Sequence, residues 1–332
     1  MKALLSIRPG GPETLELSDI PRPDPGPGEI RVRVRAAGIN FPDLLIIEDR
    51  YQFRPDRPFA PGAEFAGEVT ATGHGVTAFA PGDRVMGMGL WGALAEEVCA
   101  KATQCCHLPD SVPFDIAAAV QFTYGTALYA LSERAELQAG ETLVVLGAAG
   151  GVGLSAVQLG RRMGARVIAA VSSRDKLDTA LAEGAADGVI YPRGDMDRAA
   201  QKAFSDALRD KTGSAGSNVI FDTVGGAYCE PALRTMAWKG RYLVIGFPAG
   251  IPSIPANLPL LKSCDIRGIF WGAAIERDGR AYSDTMAHLL AMLDRGEIRP
   301  HIHARHDLSD GAAAVAELAA RTVRGKVIVT VP

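Results

Sequence analysis

The residues best placed to do chemistry are glycines. Positions 147–153 read Gly-Ala-Ala-Gly-Gly-Val-Gly, directly after an apolar run at 142–146 and before a stretch of helical spacing at 154–163. A glycine turn lets backbone approach a pyrophosphate. The helix it opens presents free N–H groups and the positive end of a dipole. The pattern is AxGxxG, on Ala148, Gly150 and Gly153, rather than strict GxGxxG. A second apolar run at 166–171 completes the strand–turn–helix–strand context that the motif requires. Ala149, Gly150, Gly151, Val152 and Gly153 are the expected dinucleotide cradle. The end of the second run selects the cofactor. An acidic residue there would bind the ribose diol of NAD. This chain places Ser172, Ser173, Arg174 and Lys176 there, with Asp175 between the two cations. Hydroxyls, a guanidinium and an ammonium suit a 2′-phosphate, so NADPH is expected.

Metal chemistry finds little support in the residue types. The cysteines are Cys99, Cys105, Cys106, Cys229 and Cys264, odd in number and without a CxxC pair, so neither a disulfide framework nor a four-cysteine zinc site is expected. His301, His303 and His306 lie close together, but no cysteine or further ligand spacing accompanies them, and a solvated surface strand is expected.

The rest of the chain must position this turn. Its 332 residues allow about two domains at the usual ~150 residues each. With 47% apolar and 22% charged residues, the composition is that of an ordinary globular enzyme. The net charge of −3 carries no basic surplus for a phosphate backbone, so nucleic-acid binding is not indicated. No apolar run approaches the roughly 18–20 residues of a membrane span. The opening MKALLSIRPGG lacks the apolar core of a secretory signal, so a cytoplasmic protein is expected.

The first ~115 residues read as short strands cut by glycine-rich turns. Residues 30–36 alternate apolar and charged, and further strands are expected at 65–71, 83–86 and 93–100, with a turn at Pro81-Gly82-Asp83. A helix is expected over 116–131. Strands of a parallel sheet follow at 142–146, 166–171, 219–222, 242–246 and 266–270, with Gly184 and Gly240 where helices should stop. The tail carries helices at 285–293 and 311–320 and a strand at 326–331 that is expected to return to the first domain. The expected class is α/β, with a β-rich domain and a doubly wound domain.

The whole chain resembles the zinc-independent quinone oxidoreductases of the medium-chain dehydrogenase/reductase superfamily, which include the lens zeta-crystallins. The segments that carry the resemblance are AGINFPDLL (37–45), PFAPGAEFAGEV (58–69), PGDRVMG (81–87), GETLVVLGAAGGVGLSAVQLGRRMGARVIA (140–169), FDTVGG (221–226), GRYLVIGF (240–247) and GKVIV (325–329). The segment at 255–272 is most similar to the quinone oxidoreductase-like protein 2 subgroup. The resemblance implies a GroES-like substrate domain over 1–118, a Rossmann NADPH-binding domain over 119–265 and a return to the substrate domain over 266–332. It places the active cleft between them. Where zinc-dependent relatives carry catalytic ligands, this chain has Asn40, Ala63 and Phe122, and asparagine and alanine supply neither thiolate nor imidazole. Without that Lewis acid, the expected chemistry is hydride delivery to a quinone or an α,β-unsaturated carbonyl. An enoyl-thioester reductase and a non-catalytic, crystallin-like NADPH-binding protein are the alternatives.

The resemblance also implies site residues. Asn40 faces the nicotinamide region and is expected to donate to the acceptor carbonyl. Asp43 is a supporting orienter or a helix cap. Tyr51 lines the substrate cleft and is the candidate acid, although a phenol of ordinary pKa near 10 needs help in that role. Glu64 braces the barrel. Thr126, Tyr129 and Phe41 line the nicotinamide pocket, and Tyr191 packs against the 2′-phosphate. Phe247, Phe270 and Trp271 stand at strand ends on the cofactor side. Lys326 reaches the cofactor or the cleft. Relatives pair through an edge of the cofactor domain, so a homodimer is expected through residues 255–269, with Leu258, Leu260 and Leu261 burying apolar surface.

Overall fold

The computed structural model describes residues 1–194 and 196–332, with Gly279 and Ala281 described by their backbone alone. Two compact units make up the chain, Met1–Gly125 with Ala274–Pro332, and Thr126–Ala273.

The first unit begins with β1 (Lys2–Ser6) and β2 (Leu15–Asp19), an antiparallel pair. Next come β3 (Glu29–Ile39), α1 (Phe41–Ile47), β4 (Glu64–Thr72), β5 (Arg84–Met88), β6 (Glu97–Lys101) and β7 (Cys105–His107). The alternation seen from Ile30 places Ile30, Val32 and Val34 in the core, at 0% exposure. β3 is the hub, pairing antiparallel with both β4 and β6. The segment expected to be one helix over 116–131 is instead broken into α2 (Phe114–Ala117), α3 (Thr123–Leu128) and a π-helical stretch, Tyr129–Arg134. Tertiary bonds outcompete the helix there: Gln121 Nε2 donates to the Gly87 carbonyl at 2.8 Å and Phe122 N–H to Glu64 Oε2 at 2.9 Å.

The second unit runs β8 (Thr142–Leu146), α4 (Gly151–Arg162), β9 (Arg166–Val171), α5 (Arg174–Ala182), β10 (Asp187–Ile190), α6 (Arg198–Thr212), β11 (Ser217–Asp222), α7 (Cys229–Leu233), β12 (Met236–Val244), α8 (Asn257–Lys262) and β13 (Asp265–Gly268). Its six strands are parallel in the order β10-β9-β8-β11-β12-β13. This is the doubly wound arrangement, whose order reverses between β8 and β11. The central strands β8 and β9 are buried apolar runs, as in a sheet covered by helices on both faces. Gly184 follows α5 with φ +117°, as a helix stop should. Gly240 does not stop a helix but lies within β12, where a Cβ would meet Met236 Cε at 2.4 Å. β13 pairs with β12, so this unit continues past the expected limit at 265.

After α9 (Trp271–Arg277) come α10 (Gly279–Asp294), β14 (Ile302–Asp307), α11 (Gly311–Ala319) and β15 (Lys326–Thr330). β15 pairs antiparallel with β3, so the last strand does return to the first unit's sheet. Among the described residues no helix is long and apolar enough to cross a membrane.

Candidate functional site

The first unit gathers its polar residues into one closed cluster. Asn40, 5% exposed, caps α1, and its backbone N–H donates to Asp43 Oδ2 at 2.7 Å. Asp43 Oδ1 accepts from Gly62 N at 3.2 Å. Lys326 enters from β15 and spends its three N–H donors on the Ile39 carbonyl (2.9 Å), Asn40 Oδ1 (2.7 Å) and Glu64 Oε1. Asn40 Nδ2 donates to Glu64 Oε1 at 2.9 Å and to the Gly38 carbonyl at 3.2 Å.

These contacts bear on three of the expected site residues. Lys326 does not reach outward, because its ammonium is 4% exposed and fully bonded within the unit. Asn40 has both amide protons engaged, so neither is left for an acceptor carbonyl. Burial, with Asp43 nearby, raises the Tyr51 phenol above its ordinary range, which makes it a weaker acid. Asp43 serves the α1 cap, and burial pushes its carboxyl up to about 7 against the pull of the Asn40 N–H and Lys326. Phe41 and Tyr51 pack against the unit's core.

The second unit presents an open edge. Gly147, at φ +74°, turns the chain after β8, where a Cβ would lie 2.3 Å from Thr223 Oγ1. Gly150 caps α4 in extended conformation, and no side chain caps that helix. A Cβ on Gly153 would lie 2.1 Å from the Gly147 carbonyl oxygen, so only glycine lets helix and turn pack this closely. Ala149, Gly150, Gly151, Val152 and Gly153 thus surround a helix N-terminus whose first N–H groups have no partner within the helix. At the end of β9, Ser173 caps α5, Ser172 and Lys176 are half-buried, and Arg174 is exposed beside Asp178 at 3.0 Å.

The aromatic residues divide. Tyr191 is only 8% exposed, with its ring packed against Tyr228 (4.8 Å) and Phe204 (5.6 Å). Trp271, 3% exposed, lies 5.7 Å from Tyr129 in the π-helical stretch. Phe247 and Phe270 follow the ends of β12 and β13 and are 46% and 47% exposed. Thr126 is buried. One buried residue at this edge escaped the sequence reading: Asp222, the last residue of β11. Its only signal was a lone carboxylate closing an apolar run.

Among the described residues, His301, His303 and His306 included, no group of three or more His, Cys, Asp or Glu side chains is arranged to hold a metal ion. Of the leucines expected at a dimer face, Leu258 fills the unit's own core, while Leu260 and Leu261 are 75% and 62% exposed.

Residues 26–110 match the model of the alcohol dehydrogenase GroES-like domain and residues 151–291 that of zinc-binding dehydrogenases. Quinone oxidoreductase-like protein 2 of Bos taurus is 38% identical over 89% of this chain and 82% of its own length. The quinone oxidoreductase of Pseudomonas aeruginosa is 36% identical over 96% of both chains. Two solved structures in complex with NADPH superpose over 99% of this chain with a TM-score of 0.91: a mycobacterial protein, 30% identical and covered over 99% of its length, and Escherichia coli quinone oxidoreductase, 27% identical and covered over 100%.

Proposed function

The chain belongs to the medium-chain dehydrogenase/reductase superfamily, with the quinone oxidoreductase-like proteins, and we propose that it is an NADPH-dependent reductase of a quinone or another α,β-unsaturated carbonyl. The observation that carries this reading is the uncapped α4 N-terminus behind the Gly147–Gly153 turn, at the strand-order reversal of a doubly wound sheet. NADPH, when bound, supplies the hydride. The chain supplies position: backbone N–H groups of the turn for the pyrophosphate, and Ser172, Ser173, Arg174 and Lys176 for the 2′-phosphate.

What the first unit withholds supports a quinone as acceptor. Asn40 has spent its donors, and Tyr51 is a poor acid. A quinone suits such a site best, because water can protonate its reduced oxygens after hydride arrives. The residues in the positions of zinc ligands suit a metal poorly. Asn40 is bonded to Glu64 and Lys326, and Ala63 has no donor atom in its side chain, which supports an activity that needs no zinc. The exposed Leu260 and Leu261, beside the open edge strand β13, support a homodimer, which a dimer mass by light scattering would establish and a monomer mass would refute. The direct test of the activity is NADPH oxidation with 1,4-benzoquinone and 9,10-phenanthrenequinone beside an alkenal and crotonyl thioester. Turnover led by the quinones is expected. NADPH binding without turnover on any acceptor would favour a non-catalytic protein.

A further inference from the structure

The open edge of the second unit contains one buried carboxylate that the cofactor reading does not use. Asp222 is 1% exposed and ends β11, directly before the glycine-containing segment 223–226. Its Oδ1 accepts the backbone N–H of Val224 at 2.8 Å and of Gly225 at 2.9 Å. Its Oδ2 accepts the hydroxyl of Tyr242, a fully buried residue of neighbouring β12, at 2.6 Å. Segment 223–226 has two glycines in the left-handed region, Gly225 at φ +70° and Gly226 at φ +56°. Glycine loses much conformational freedom on ordering, so such a segment needs fixed partners to hold one shape.

The segment's other side abuts the nucleotide turn. Thr223 Oγ1 donates to the Leu146 carbonyl at 2.8 Å, one residue before the turn. At Gly147 a Cβ would lie 2.3 Å from that hydroxyl and 3.1 Å from Val224 Cγ2. Thr223 and Val224 are therefore the wall against which the Gly147 turn is shaped.

We propose that Asp222 is a positioning residue for cofactor binding: latched by the Tyr242 hydroxyl, it holds segment 223–226 against Gly147 and so keeps the turn in the shape that accepts a pyrophosphate. Asp222 touches no cofactor atom in this role; it acts through Thr223 and Val224. The inference rests on the NADPH reading.

The test compares NADPH dissociation constants, from nicotinamide fluorescence, with thermal melting and steady-state kinetics for the wild type, Asp222→Asn, Tyr242→Phe and Asp222→Ala. In Asp222→Asn the carbonyl oxygen still accepts both backbone N–H groups and the amide meets the Tyr242 oxygen, so Kd should stay within about threefold. Tyr242→Phe frees one carboxylate oxygen and should weaken NADPH about three- to tenfold, as a rise in KM with kcat unchanged. Asp222→Ala should weaken it by about tenfold or more; if that variant does not fold, Tyr242→Phe and Asp222→Asn decide. A Tyr242→Phe protein that melts earlier yet binds NADPH like the wild type would overturn the latch, leaving Asp222 a purely structural brace. A wild type that does not bind NADPH would overturn the cofactor reading itself, a result distinct from failure of the latch.

Discussion

The Lys326 cluster of the first unit and the glycine turn of the second handle their polar groups in opposite ways. In the first, Lys326, Glu64, Asn40 and Asp43 are buried and saturate one another. In the second, the turn at Gly147–Gly153 opens α4 without a side-chain cap, so its first N–H groups have no partner within the helix, and basic and hydroxyl side chains stand partly exposed at the next strand end. A buried charged residue is therefore a poor guide to function in this chain. Lys326, Glu64 and Asn40 bond to one another within the fold, while the proposed recognition chemistry lies in glycine-rich backbone and in partly exposed side chains at the next strand end.

The largest effect that would break this contrast lies in the closed cluster. Lys326→Met leaves Glu64 buried without its cation, which should cost about 3–5 kcal/mol in denaturant unfolding. NADPH affinity of the folded variant should change little. A large loss of affinity at unchanged stability would mean that Lys326 serves the cofactor after all.

The pH dependence sharpens the same point. Burial raises the Asp43 carboxyl to about 7 in the folded state. The folded chain thus holds a proton that the unfolded chain, with an ordinary Asp value near ~3.9, has released. Stability contributed by this group is complete below pH ~4 and declines as pH rises toward about 7, by something on the order of 2–4 kcal/mol. Asp43→Asn should flatten that decline in urea melts between pH 4 and 8; an unchanged slope would remove Asp43 as its source.

Effects on the open edge are smaller and reach the cofactor. Gly153→Val puts a side chain where a Cβ already lies 2.1 Å from the Gly147 carbonyl. An overpacking strain of about 1–3 kcal/mol should appear as an approximately ten- to hundredfold loss of NADPH affinity. Unperturbed binding would mean that the turn is not the cradle. Smallest is Lys176→Ala, which should weaken NADPH about tenfold and NADH hardly at all. Equal weakening of both would take the 2′-phosphate away from this lysine.

What could be read from the sequence follows the same division. The strands at 142–146 and 166–171 were read with the bounds they have, because an apolar run ended by glycine is a local signal. The 147–153 turn was local too. The buried bonds of Lys326 are not legible in the sequence, because its partners Asn40 and Glu64 are more than 260 positions away and nothing near Lys326 announces them. The aromatic neighbours of Tyr191, Phe204 and Tyr228, likewise come from distant segments, α6 and the stretch just before α7. The helix expected at 116–131 shows the same limit, since Glu64 takes the Phe122 N–H from a strand about 60 residues earlier.

The central claim is that an NADPH cradle in the second unit serves a reductase without metal. It is tested most directly by following NADPH absorbance with phenanthrenequinone and benzoquinone in the presence of a strong chelator, with NADH in parallel. The account predicts turnover that survives chelation and is much faster with NADPH than with NADH. Activity abolished by the chelator and restored by zinc, or a preference for NADH, would contradict it.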